Sequence, residues 1–237
     1  AGTQPDWYIG WLDGALRLAP SGWDVVIAGF VIPMGVMVPL VVSLVFLALV
    51  AAYPFIENWV TKDKREHHVL DRPRNAPTRT AIGAAGVTFY GVLWAGASTD
   101  LIATNFQMSL NQVLTAMQIL LILGPVIAYW VTKRACLSLQ RKDREMVLHG
   151  RETGRVVRLP HGEYIEVHEP VDKYELWKLV DFKEYEPVLP RPDANGKITV
   201  GNRLRSAISR LYFEDRIAPV SKAEYELAHA DHAPAIE

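Results

Sequence analysis

A single cysteine, Cys136, stands in 237 residues, which excludes a disulfide framework and any thiolate metal site built within the chain. Charge is missing over long stretches. No Asp, Glu, Lys or Arg occurs from Val25 to Ile56, from Thr80 to Thr99 or from Leu101 to Thr132, runs of 32, 20 and 32 residues. With no ionisable side chain inside them, a transport pathway through these runs is a poor reading. Histidine is missing from the same runs, so they offer no imidazole ligand. A basic segment is also missing ahead of the first run, which is about twice too long for the core of a signal peptide. With a net charge of -1 there is no basic excess, and no nucleic-acid partner is expected.

What is present is enough apolar length to cross a bilayer, whose core needs about 20 residues of helix. The fold expected is all-α and membrane-integral. An interfacial helix in residues 1–23 precedes three transmembrane helices at about 25–56, 80–98 and 112–132, and a mixed extramembrane tail follows from 133 to 237. The first run holds Pro33, Pro39 and Pro54. At roughly 1.5 Å per residue it would extend about 48 Å against a core of about 30 Å, which predicts a tilted or kinked helix with its first turns in the interface near Trp23. The second holds Gly83, Gly86, Gly91 and Gly96, small residues that let membrane helices approach closely.

The tail carries 18 of the 25 Lys and Arg and 18 of the 26 Asp and Glu. It opens as a continuation of the third helix, expected to stop at Gly150. The β-branched runs around Pro160-His161-Gly162 read as a hairpin. Further on, Leu204, Ile208, Leu211 and Tyr212 recur at helical spacing beside Arg203, Arg205 and Arg210, a pattern that suits an anionic lipid surface or a neighbouring subunit equally. Lys62, Lys64, Arg65, Arg72, Arg74 and Arg79 crowd the first connection, and basic residues return after the third run. By the positive-inside rule that connection and the tail face the cytoplasm, and the N-terminal segment faces outward.

The outward segment reads QPDWYIGWLDGALRLAP, residues 4 to 20. Pro5 suits a first helical position, which would put Asp6 in the first turn, where the helix dipole favours its ionised form. Burial among Trp7, Tyr8 and Trp11 would act the other way. Composition alone reads the aromatics as an interfacial belt with solvated carboxylates beside it, as in a non-catalytic membrane anchor whose cytoplasmic tail recruits partners.

The stretch Pro5-Asp6-Trp7-Tyr8 resembles the Pro-Glu-Trp-Tyr motif of the cytochrome b subunit of quinol:cytochrome c oxidoreductases, with Asp in place of Glu. Leu16 to Pro20 resembles the family's Leu-Arg-Ser-Ile-Pro at the same offset. DRPRNAPTRTAIG and RLPHGEYIEVH are most similar to actinobacterial members, so the chain resembles the C-terminal half of such a subunit. The resemblance implies the outer-side quinol-oxidation site, called Qo, with menaquinol as substrate and Asp6 as proton acceptor. Pro5, Trp7 and Tyr8 would shape the site. Asp13 stands where many members have a site-lining tyrosine, and is a further substrate-binding candidate. The two b-type haems would be ligated outside this chain, on the N-terminal haem-binding half. Further partners implied are a Rieske iron-sulfur protein, a c-type cytochrome and a haem-copper oxidase in a supercomplex of the bacterial plasma membrane. The pair His67-His68 suits a solvated loop better than a metal site.

Overall fold

The computed structural model describes residues 6–20, 22, 24–62, 72–179, 187–192, 196–213, 217–218 and 220–230. Pro5, Trp23, Lys64, Arg65, His67 and His68 lie outside the described residues. The chain divides into two compact units, Ala1–His67 with Thr78–Lys133 and His68–Pro77 with Arg134–Glu237.

The first unit holds α1 (Gly10–Leu18), β1 (Asp24–Ile27), β2 (Phe30–Pro33), α2 (Met34–Thr61), α3 (Pro77–Gly96), α4 (Thr99–Asn105) and the first part of α5 (Leu110–His149). Trp11, Ala15 and Leu18 recur on one side of α1 at helical spacing. Ala15 and Leu18 are buried with Leu93 of α3, and Trp11, Phe89, Leu114, Met117 and Leu121 pack around them. The carbonyl of Leu18, left without an intrahelical partner at the helix end, accepts from Gln118 Nε2 of α5 at 2.9 Å.

Residues 24–33, expected at the start of the first long helix, form a hairpin instead. Asp24 pairs with Pro33 and Ile27 with Phe30. The β-branched residues Val25, Val26, Ile27, Val31 and Ile32 suit a strand. Ala28 and Gly29 both have positive φ, 53° and 83°, as a two-residue type I′ turn requires. The hairpin takes up length that a single crossing could not, and α2 begins only at Met34.

Arg79 Nε meets Glu57 Oε1 at 2.5 Å, and the rings of Phe46 and Phe89 lie 5.2 Å apart, joining α2 to α3. At Ala97-Ser98 the chain turns by 72° into α4. By length and composition α2 and α5 can each cross a membrane, and the bent pair α3 and α4 makes a third crossing if it counts as one span.

Of the four glycines expected to let α3 approach a neighbour closely, Gly96 does so here. A Cβ on Gly14 would sit 1.6 Å from the Leu93 carbonyl oxygen, and one on Gly96 would sit 2.9 Å from Leu18 Cδ1. These two bring α1 onto the backbone of α3. Gly83, Gly86 and Gly91 have nothing within 4 Å of a Cβ position, so they mediate no close approach here.

The second unit contains the 3-10 turn Pro73–Asn75, the rest of α5, β3 (Arg151–Arg158), β4 (Tyr164–Glu169), α6 (Lys173–Leu179), α7 (Val200–Phe213) and α8 (Lys222–Ala230). α5 continues to His149 and Gly150 follows with φ 87°, the left-handed geometry in which helices commonly end. The expected hairpin is present as β3 and β4. Buried Asp143 receives Arg74 at 2.7 Å and Arg72 at 4.0 Å. Gln140 donates to the Arg74 carbonyl at 2.6 Å and accepts from Ile217 N at 3.0 Å. Arg144 donates to the Ala218 carbonyl at 2.8 Å and pairs with Glu224. The exit of α5 is thus tied both to the connection before α3 and to the tail.

Candidate functional site

Asp6, Trp7 and Tyr8 occupy a turn ahead of α1, closed by Ile9 N donating to the Asp6 carbonyl at 3.0 Å. The helix itself begins at Gly10, so Asp6 is not in its first turn as expected. Tyr8 Oη donates to Asp6 Oδ2 at 2.8 Å. The other oxygen, Oδ1, takes no hydrogen bond among the described residues. The rings of Trp7 and Tyr8 meet edge to face with centroids 6.0 Å apart.

Two indoles hold this turn by its backbone. Trp11 Nε1 donates to the Tyr8 carbonyl at 3.1 Å, and Trp94 Nε1, from α3, donates to the Trp7 carbonyl at 2.9 Å. The Trp94 ring also lies 3.2 Å from a Cβ position on Gly10. The backbone is therefore fixed while the side chains point outward: Asp6 is exposed, Trp7 is 76% exposed and Tyr8 56%. Burial of Asp6 among the aromatics is not provided by this chain alone.

Asp13 lies elsewhere on α1 and has a charged partner. Arg17 Nε meets its Oδ2 at 2.7 Å, and Arg17 Nη1 reaches Asp100 Oδ1 of α4 at 3.4 Å. One guanidinium thus joins two acids and fixes the end of α1 to the corner after α3. Chemically, the turn offers an exposed carboxylate with a neutral donor at one oxygen, bordered by aromatic faces. This arrangement can accept a proton from an apolar molecule carrying a hydroxyl.

A cytochrome b subunit of the cytochrome bc1 complex from Streptomyces coelicolor is 47% identical over 238 residues, taking in 98% of this chain and 44% of that protein. The chain belongs to the cytochrome b family. The subunit of the same description from Streptomyces lividans is 44% identical over 236 residues, 94% of this chain and 43% of that protein. The one from Mycobacterium leprae is 44% identical over 171 residues, 72% of this chain and 31% of that protein. This member therefore spans less than half the length of these relatives. No family model matches the chain. Its apolar helices and its family together make it membrane-integral.

Haem ligation does not fit the residues of this cytochrome b chain. α2, α3 and the apolar part of α5 contain no histidine. Among the described residues His149 faces Glu145 at 3.4 Å, His168 contacts the His149 carbonyl, and His229 stacks on Tyr225.

Sequence reasoning missed Trp94 and Asp100. Asp100 carried a signal: it is the one charged residue between Arg79 and Lys133, as Arg17 is the one basic residue before Lys62. Two lone opposite charges at the ends of apolar runs are natural partners. Trp94 carried none, because its role depends on the crossing of α1 and α3.

Proposed function

We propose that this chain is the C-terminal part of a cytochrome b subunit and forms part of the outer-side quinol-oxidation site of a respiratory quinol:cytochrome c reductase, with Asp6 as the proton acceptor. The observation that carries this reading is the Tyr8 to Asp6 hydrogen bond of 2.8 Å in an exposed aromatic turn. A quinol hydroxyl is a weak acid that loses its electron readily only as its proton leaves, so a base must stand within hydrogen-bond reach. Tyr8 holds Oδ2 of Asp6 and orients Oδ1 toward the substrate. Trp7 and Tyr8 offer ring faces to the quinol head group. Pro5 and Asp13 are further substrate-binding candidates, Asp13 as an acid that meets Arg17 at 2.7 Å.

The substrate in this reading is menaquinol. Its oxidation to the quinone releases two electrons and two protons. Asp6 receives one proton and passes it to the outer side, the other proton goes to solvent water at the same face, and the electrons leave to redox partners on other chains. Those partners are the N-terminal haem-binding half, a Rieske iron-sulfur protein and a c-type cytochrome, with a haem-copper oxidase in the same supercomplex. Two b-type haems would be held by residues of the other half of the subunit and would supply electron transfer there. The chain crosses the bacterial plasma membrane three times, through α2, the α3 and α4 pair, and α5. Its N-terminal segment is outside and its tail cytoplasmic, following the basic residues of the first connection and the tail.

The test is quinol-dependent cytochrome c reduction by the intact complex carrying Asp6→Asn, normalised to haem content. Loss of a general base predicts a fall of about 100-fold or more. Turnover equal to that of the parent complex would overturn the assignment of Asp6.

A further inference from the structure

From Val25 to Pro33 the chain reads VVIAGFVIP, nine residues without a single polar side chain. They make up the β1 and β2 hairpin except for its first residue, Asp24. Ile27 pairs with Phe30 and Val26 with Val31, so the alternation of side chains along a strand puts the first pair on one face and the second on the other. Both faces are apolar and both are open: Phe30 is 76% exposed, Val26 64%, Val31 62% and Ile27 56%. Two strands by themselves are marginally stable in water, and their unpaired edges invite a partner.

The place of the hairpin in the chain points to its cover. α2, which can cross a membrane, follows at the next residue, Met34, and belongs to the same compact unit. Met34 to Ile56 carries no charge, and as helix these residues extend about 34 Å, slightly more than the roughly 30 Å of a bilayer core. The start of α2, and the hairpin joined to it, therefore stand at the edge of that core. α2 presents exposed apolar residues from its first turn, Val36 and Met37, so hairpin and span offer one kind of surface. A protein interface favours anchors such as Trp, Tyr or Arg with a polar rim, and residues 25–33 supply neither. Asp24, the one ionisable residue of the hairpin, stands at its open end. We propose that the β1 and β2 hairpin enters the acyl boundary of the leaflet in which α2 begins. Val26, Ile27, Phe30 and Val31 lie among acyl chains and Asp24 stays with the head groups. At that depth water and lipid ester oxygens still reach the strand edges, as unpaired backbone groups require.

The intact complex in its native membrane tests this with the photoreactive p-benzoylphenylalanine placed at Phe30 or, separately, at Val31 on the opposite face. Haem content equal to that of the parent shows that each labelled complex is assembled. After irradiation, adducts are identified by mass spectrometry. Acyl-chain adducts are expected to exceed peptide adducts at least about tenfold at both positions, the preference that burial of an apolar side chain of this size provides. Adducts mainly to peptides of another subunit, at either position, overturn the proposal and place a protein on the hairpin. Label recovered unreacted at either position also overturns it, and leaves the hairpin in water.

Discussion

Asp6 and Asp143 are the same residue type in opposite settings. Asp143 is buried, and two guanidinium groups, from Arg74 and Arg72, answer its charge at 2.7 and 4.0 Å. Asp6 is exposed, and its partner is a neutral phenol at 2.8 Å. A carboxylate balanced by arginines fastens elements together, since removing it takes away charge-assisted hydrogen bonds between them. One held by a phenol leaves its second oxygen open to a further hydrogen-bond donor. Asp13, bound to Arg17 at 2.7 Å, belongs with Asp143 in this respect. The acids thus differ in their neighbours: Asp13 and Asp143 meet arginines, and Asp6, the acid of the proposed proton transfer, meets a phenol.

The comparison breaks first if the turn of Asp6 can be moved without consequence. Gly14→Ala drives a Cβ into the Leu93 carbonyl and is expected to cost at least about 3 kcal/mol. It should sharply lower the yield of haem-loaded complex and the melting temperature. Asp143→Ala comes next. It should destabilise the second unit by about 2 kcal/mol, read as faster hydrogen exchange at Ile217 and in α8, with quinol turnover per haem little changed. A loss of turnover as large as that of Asp6→Asn would erase the distinction between the two acids. Trp94→Phe is the smallest, removing one hydrogen bond to the Trp7 carbonyl, worth about 1 kcal/mol. It should raise the KM for menaquinol about fivefold, by the same magnitude, and leave kcat near that of the parent. A lower melting temperature with KM unchanged would reduce Trp94 to a packing role.

Much of the fold was legible because it rests on local signals. α5 continues past Lys133 and stops at Gly150 as its charge pattern and glycine indicated, and the turn residues around Gly162 marked the β3 and β4 hairpin. The β1 and β2 hairpin was not legible, because an uncharged run rich in Val and Ile reads as helix or strand alike. The Ala28-Gly29 turn decided it. In α7, Ser209 accepts from Val188 N and Asn202 donates to the Arg191 carbonyl, contacts that helical periodicity cannot contain. At the candidate site, the motif pointed to Asp6, Trp7 and Tyr8 together. Their fixation by Trp94, and the tie of Arg17 to both Asp13 and Asp100, come from the packing of α1 on the α3 corner.

The most direct test of the central claim compares Asp6→Asn with Asp6→Glu in the intact complex, measuring quinol-dependent cytochrome c reduction per haem from pH 5 to 9. The account predicts that the amide loses about 100-fold or more, because it cannot hold the proton. It predicts that glutamate, which adds one C–C bond of roughly 1.5 Å and keeps the carboxylate, stays within about tenfold of the parent. Equal activity of the two variants at every pH would contradict it, and would leave the carboxylate of Asp6 without a role in proton transfer.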